Sequence, residues 1–278
     1  MAHESLTTPP TTLKEAIDWL LTVQKSGGLD ALSIAVFILL TKSDKNLELH
    51  TDTFKGVTES VKKSLSHEFF ESNNTADEVR HLLDGTKPHM FRGPLERLTS
   101  YWLGRFSPTS FEETGLSVQD VQASIHKLSR GVEKFLDTVK DGKNYSSVYA
   151  PYATWDGDCG YDRQLCAEIF VGMTPLFYSS FEALQDIEET RSERRKTVGD
   201  ESSRIGRFMD AAGYDVHKEI DGTRTTDAVV DSTASFDRRF FRRLYDISGF
   251  LASGRSHSVG CSRNDKKMQR PISQHVSR

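Results

Sequence analysis

The sequence lacks the hydrophobic segments that mark membrane proteins and secretory leaders. Its longest apolar run, residues 31–40, is much shorter than the ~20 residues that a membrane-spanning helix needs. The opening residues, MAHESLTTPPTT, contain neither the basic nor the apolar region of a signal peptide. By these criteria we expect a soluble polypeptide, with no signal peptide or transmembrane helix visible in this chain.

Short catalytic and nucleotide-binding motifs are also missing. The sequence contains no phosphate-binding glycine loop, no GxSxG nucleophile elbow, no HExxH pair and no CxxC pair. The acidic turn DGDCGYD begins like a calcium loop, but Gly160 takes the fifth position and Ala167 stands where the chelating glutamate belongs. We therefore predict no catalytic residues, no metal site, no cofactor and no small-molecule substrate. An enzyme whose site is assembled from dispersed residues stays an alternative, because no sequence pattern would reveal it.

The composition is that of a folded domain with one unusual end. Hydrophobic residues make up 36% of the 278 positions and charged residues 27%, which is typical of a globular protein. The net charge of −4 provides no overall attraction to nucleic acid. Segment 254–278, however, has six Lys or Arg against one Asp and no apolar periodicity. We predict that residues 253–278 form a mobile basic tail.

Apolar residues recur at helical spacing along most of the chain. Thr12 and Glu15 are typical of a capped helix start, and Gly27 and Gly28 follow as a stop. Asp30 is predicted to cap a second helix, which is apolar on most sides and therefore buried. Other helices are predicted at 54–70, 76–83, 94–106, 205–212 (within a long connection, 196–232) and 235–250.

The clearest pattern is a heptad seam in the middle of the chain. Such a seam is typical of a helix that lies at a shallow angle along a partner helix. The partner is either a second copy of the chain, in a coiled coil, or another helix of the same chain. We prefer the second interpretation, because several amphipathic helices of this chain need partners. The seam consists of Val118, Val121, Ile125, Leu128, Val132, Phe135 and Val139.

An aromatic and acidic loop, residues 141–160, separates two helical halves. Tyr149, Tyr152 and Trp155 form either an exposed surface for a partner or a hydrophobic lid over the helix ends. We favour the lid, because large aromatic residues are usually buried. The following helix passes through Pro175, which removes one backbone hydrogen bond and predicts a kink.

These patterns predict an all-α fold. We expect an irregular multi-helix bundle with one heptad-spaced helix and one proline-kinked helix. The chain divides into an N-terminal tail (1–11), an N-terminal helical region (12–140), the aromatic and acidic loop (141–160), a C-terminal helical region (161–252) and the basic tail (253–278).

Three blocks of the sequence together resemble a known family. They are TLKEAIDWLLTV at 12–23, YSSVYAPYATWDGDCGYDRQLCAEIFVGMTPLFYSSFEAL at 145–184 and, more loosely, LYDISGF at 244–250. Their content and order resemble the variant erythrocyte surface antigens and related multigene surface proteins of Babesia-type parasites. The resemblance implies a non-enzymatic antigen, exported to the surface of the infected host cell or parasite, that varies antigenically. It also implies adhesion to the host-cell surface or to another copy of the family. Members usually end in a transmembrane helix, so a truncated or atypical member is expected here.

The three cysteines have two interpretations. Cys159 and Cys166 flank the start of the proline-containing helix, and a local disulfide between them fits the oxidising location that the resemblance implies. The alternative is a pair of buried thiols, as in many intracellular proteins. Cys261 is expected to be a free thiol in the tail. The N-glycosylation triplets at Asn73 and Asn144 add little at this stage, since such triplets often occur by chance.

Two arginine clusters support a rival hypothesis. Basic and aromatic residues alternate in DRRFFRRLY, an arrangement that can bind the phosphates of an anionic membrane or of nucleic acid. In the other interpretation the phenylalanines enter the core while the arginines stay solvated. We prefer the latter, because the domain as a whole is not basic, and we expect no nucleic-acid partner. The clusters comprise Arg191, Arg194, Arg195, Arg238, Arg239, Arg242 and Arg243.

Overall fold

The helical periodicity of the sequence corresponds to an all-α fold, as predicted. A computed structural model describes residues 2–43, 51–71, 115–193, 198–220 and 226–233, together with Phe236 and Phe240. In these parts of the chain no β-strand occurs. The helices are α1 (Leu13–Lys25), α2 (Leu29–Ser43), α3 (Thr51–Leu65), α4 (Glu68–Glu71), α5 (Val118–Val139), α6 (Arg163–Glu193), α7 (Val198–Ala211) and α8 (Thr226–Thr233), with one π-helical turn at Trp155–Cys159.

Helix α1 begins and ends at the predicted signals. The Thr12 hydroxyl accepts a hydrogen bond from the Glu15 backbone N–H at 3.3 Å, so Thr12 is the N-cap. At the other end Gly27 adopts a φ of 72°, a left-handed conformation that favours glycine. The Gly28 N–H then donates to the Val23 carbonyl at 2.9 Å, which closes the last turn.

Asp30 does not cap α2, which corrects the prediction. Helix α2 begins at Leu29, one residue before Asp30. The Asp30 carboxylate instead contacts the Gln122 amide nitrogen and His126 Nε2, each at 2.7 Å. These hydrogen bonds, from Gln122 first, lower the pKa of Asp30. Asp30 therefore connects the surface of α2 to that of α5.

Helix α6 is the centre of the bundle. Helices α2 and α3 pack along it, and α1 and α8 also contact it. It continues through Pro175, whose missing N–H weakens a helix interior by ~3 kcal/mol. Burial of one phenylalanine contributes about 1.5–3 kcal/mol, so several of them outweigh the proline. The fully buried side chains around Pro175 include Phe170, Met173, Phe177 and Phe181.

Helix α5 carries the heptad seam, and its partners lie in the same chain. It packs against α2 and α8 and also contacts α1. Ser117 and Asp120 form a complete capping box at its start. Gly131 allows a close approach here, since a Cβ at this position would lie 2.2 Å from Cζ of Phe236. The fully buried seam residues are Val121, Ile125, Leu128, Val132, Phe135 and Val139.

A cluster of phenylalanine rings joins α5, α6 and the residues after α8. The Phe181 ring lies 5.5 Å from Phe135 in an edge-to-face arrangement and 4.7 Å from Phe236. Phe240 stacks on Phe236 at 5.3 Å. Aromatic pairs at these distances stabilise a core beyond the area that they bury.

Several predicted boundaries are wrong. The helix expected at 54–70 is divided into α3 and the short α4, with a break at Ser66 and His67. The helix expected at 205–212 begins earlier, at Val198, and α8 lies within the predicted connection. Helix α8 has weak periodicity, but it packs against α5 and buries Val229, so tertiary contacts override local propensity. The predictions at 76–83 and 94–106 lie outside the described residues, as do the basic tail and all of 235–250 except Phe236 and Phe240.

No single helix in the described part of the chain is long and apolar enough to cross a membrane. Helices α1 and α2 together have the necessary length and composition, but they meet at a bend of 115°.

Candidate functional site

Residues 2–11, within the segment assigned as an N-terminal tail (1–11), are packed against the aromatic loop. The His3 N–H donates to the Val148 carbonyl at 2.6 Å, and the Ala150 N–H donates to the His3 carbonyl at 2.9 Å. Leu6 is fully buried. The sequence MAHESLTTPP has no helical period, so no pattern in it predicts these long-range contacts.

Side chains of α1 and the loop hold this N-terminal segment in place. The Trp19 indole N–H donates to the Leu6 carbonyl at 2.8 Å. The Tyr149 hydroxyl donates to the Thr8 carbonyl, also at 2.8 Å. From the loop, the Asp158 carboxylate accepts a hydrogen bond from the Leu6 N–H at 3.1 Å. Segment 2–11 is therefore a structural layer between α1 and the loop.

Of the three aromatic residues predicted as a possible partner surface, two are buried. Tyr149 and Trp155 are each 3% exposed, whereas Tyr152 is 67% exposed. The Trp155 side chain covers Gly28, where an added Cβ would lie 2.5 Å from Cγ of the indole ring. The loop is thus a lid over the junction of α1 and α2. A partner can reach Tyr152 and, just beyond the loop, Tyr161, which is 96% exposed.

A disulfide closes the lid. Cys159 and Cys166 are joined, with their Cα atoms 5.9 Å apart, and both residues are fully buried. Cys159 ends the π-helical turn, and Cys166 lies in the first turn of α6. Between them, the Asp162 carboxylate accepts a hydrogen bond from the Leu165 N–H at 2.9 Å and so caps α6. The disulfide fixes the π-helical turn to the start of the central helix.

The acidic turn has structural contacts. Asp158 accepts from the backbone N–H groups of Leu6 and Thr154, and Asp162 caps α6. Asp156 is exposed. Over the described ranges, no group of three or more His, Cys, Asp or Glu side chains could hold a metal ion.

Below the loop lies an enclosed polar cluster that sequence reasoning missed. The two carboxylate oxygens of Asp18 accept hydrogen bonds from the Tyr145 hydroxyl and, at 2.9 Å, from the Val148 N–H. Lys14 forms an ion pair with Glu219 and lies 5.4 Å from the centre of the Tyr145 ring. A signal was present, because Lys14 and Asp18 lie one turn apart on a helix whose neighbouring residues are apolar.

Burial determines the protonation of this cluster. Desolvation raises the pKa of Asp18, although the hydrogen bond from Tyr145 opposes the shift. Desolvation also raises the pKa values of Tyr145 and Tyr214 above the ordinary tyrosine value, and the Asp18 charge acts in the same direction. Both tyrosine hydroxyls are therefore held protonated, and that of Tyr145 donates to Asp18. Through these contacts the cluster links α1 to the loop and to segment 214–220.

The predicted arginine clusters fall outside what the structure describes. Arg194, Arg195, Arg238, Arg239, Arg242 and Arg243 lie outside the described residues, as does the side chain of Arg191.

The chain was compared with known protein families, curated proteins and solved structures, and none of the three comparisons gave a match.

Proposed function

We propose that this protein is a non-enzymatic surface antigen, displayed in an oxidising extracellular location, as the resemblance to the Babesia-type variant erythrocyte antigens implies. The observation that carries the proposal is the buried disulfide between Cys159 and Cys166. Disulfides persist in secreted and surface proteins and are rare in reducing compartments.

The disulfide and the buried residues of the lid hold the segment that carries two exposed tyrosines. Tyr152 and Tyr161 are exposed, and in the sequence they lie before and after the π-helical turn. Tyrosine is enriched in protein interfaces, because it combines a large apolar area with a polar tip. A surface that is already fixed loses little conformational entropy when it binds. We propose that this surface, defined by Tyr152, Tyr161 and the exposed Asp156, contacts the host-cell surface or a second copy of the family.

The location is tested on protein isolated from the cells that make it naturally. Free thiols are blocked before lysis, and the unfolded, unreduced protein is then analysed for the number of blocked cysteines. The proposal expects one, Cys261, and labelling of the protein on intact cells by a membrane-impermeant reagent. Three blocked cysteines, or no surface labelling, would contradict it.

The contact surface is tested by binding of the purified, oxidised protein to erythrocytes. The double substitution Tyr152→Ser with Tyr161→Ser is expected to reduce binding at least tenfold, a loss of about 1.4 kcal/mol or more. The matched control is Ile34→Ser with Ile38→Ser, which removes two exposed apolar side chains from α2. Equal binding by both double variants and the natural protein would exclude the tyrosine surface.

A further inference from the structure

An N-glycosylation triplet lies in the turn that follows α5. Residues 144–146, Asn-Tyr-Ser, form an N-glycosylation triplet, in which the middle residue is not proline. The structure places Asn144 and Ser146 at the exposed surface, while the side chain of Tyr145 between them turns inward to Asp18. Both residues that define the triplet therefore face solvent. The second triplet, at Asn73, lies outside the described residues.

The turn has room for a bulky group on Asn144. Gly142 and Lys143, the preceding residues, are exposed, and a Cβ added at Gly142 would meet no atom within 4 Å. The backbone of the turn is held by its own hydrogen bonds, from the N–H groups of Asn144 and Tyr145 to the Asp141 carbonyl, at 3.1 and 2.9 Å. A group on the Asn144 side chain would displace none of these bonds.

The side-chain hydrogen bond of Asn144 is compatible with glycosylation. Its Nδ2 donates to the Asp141 carboxylate at 2.6 Å. An amide nitrogen has two hydrogens, and N-linked attachment replaces one of them. The remaining N–H can still donate to Asp141, so the turn keeps its geometry.

We propose that Asn144 is an N-glycosylation site. In the transfer, the Asn144 Nδ2–H bond is replaced by a bond from Nδ2 to C1 of an oligosaccharide. The bond that breaks joins C1 to the pyrophosphate of a lipid-linked oligosaccharide donor. The lipid pyrophosphate leaves, the amide proton is released, and no atom is oxidised or reduced. The inference rests on the proposed function, because this transfer takes place in the secretory pathway, where the Cys159–Cys166 disulfide would also form.

The test is secretion of residues 1–278 from cultured human cells behind an added signal peptide. All proteins carry Thr75→Ala, which removes the second triplet. Treatment with peptide-N-glycosidase is expected to shift the parent protein by one glycan. Asn144→Gln and Ser146→Ala are expected to abolish the shift, whereas Ser146→Thr and the neighbouring Ser147→Ala keep it. Mass spectrometry then locates the Asn144-to-Asp conversion that the glycosidase leaves.

A failure to be secreted does not end the test. The same proteins are translated with microsomes, where transfer to the nascent chain precedes folding, and the glycan is counted there. A parent protein that enters the lumen without a glycan on Asn144 would overturn the inference. Protein from its natural cells separates the two proposals. If the protein is labelled on the cell surface but Asn144 is unmodified, the glycosylation site is wrong and the proposed function stands. If the chain is glycosylated in human cells but is not labelled on the surface of its natural cells, the proposed function is wrong.

Discussion

Removing the Cys159–Cys166 disulfide is expected to destabilise the protein and to loosen the lid. The perturbation is the double substitution Cys159→Ala with Cys166→Ala, made together with Cys261→Ser to prevent thiol exchange. Without the bond, the π-helical turn loses its covalent link to α6 but keeps the burial of Trp155 over Gly28 and its hydrogen bonds to Ser26 and Leu6. The lid is then free to open before the rest of the bundle unfolds.

The magnitude follows from the loop length and the burial. The two cysteines lie seven positions apart in the sequence. Closing so short a loop lowers the conformational entropy of the unfolded chain, which stabilises the folded state by about 2.4 kcal/mol at 25 °C. Both sulfurs lie in the core, and removing two buried heavy atoms costs about 1–2 kcal/mol more. We therefore expect the free energy of unfolding to fall by about 3.5–4.5 kcal/mol in total.

The assay separates these two contributions. Guanidinium unfolding is followed by circular dichroism for the oxidised Cys261→Ser parent, for the same protein reduced while unfolded, and for the double alanine variant. The reduced parent should lose the chain-entropy part, and the alanine variant the packing part in addition. Fluorescence of a chain where Trp102 is replaced by Phe reports Trp155 in the lid, with Trp19 left in place because its indole holds Leu6. Identical midpoints for the oxidised and reduced parent would refute the reasoning.

Three further predictions concern the core. Gly131→Ala should destabilise the protein by about 1–3 kcal/mol, because the added methyl group would overpack the core. Gly56→Ala should stabilise it by up to about 1 kcal/mol, because this helical glycine has open space around it. The denaturation midpoints of the two variants and the natural protein test both expectations. Asp18 has a raised pKa in the folded state, so its contribution to the free energy of unfolding is fully present below the ordinary pKa of 3.8 and is lost as the pH rises through the raised pKa. The natural protein should therefore lose stability relative to Asp18→Asn over that pH range. A parallel pH dependence of the stability of the two proteins would contradict this. Phe177→Ala should lower the free energy of unfolding by about 3–5 kcal/mol, because this side chain is fully buried. Pro175→Ala should lower it less, because the proline already weakens its own helix. A lower denaturation midpoint for Pro175→Ala than for Phe177→Ala would contradict this expectation.

The sequence predicts those parts of the fold that depend on local spacing. The capped start at Thr12, the glycine stop at Gly27 and the heptad seam of α5 all appear where the pattern places them. Each of them involves residues within one or two helical turns, so the pattern and the structure depend on the same contacts. The all-α class follows from the same periodicity.

The sequence does not predict the contacts that pair distant segments. Asp18 meets Val148 across 130 positions, and Leu6 meets Asp158 across 152, and neither pair has a period or a motif. The short helix α8 was missed for the same reason, because its stability comes from α5. The burial of Tyr149 and Trp155 likewise depends on what lies beneath the loop.

In the described part of the chain, α1 anchors three irregular segments. Trp19 holds the N-terminal segment, Asp18 holds the loop, and Lys14 holds Glu219 in segment 214–220. Because these anchors are buried, exposed residues of the segments that they hold can be substituted without loss of the fold. Exposed substitutions at Tyr152 and Tyr161 are expected to alter stability by no more than about 0.5 kcal/mol, whereas changes at the anchors are expected to cost several times more. A fixed scaffold beneath a replaceable surface is the arrangement that an antigenically variable contact would need, and it connects the geometry of α1 to the proposed function.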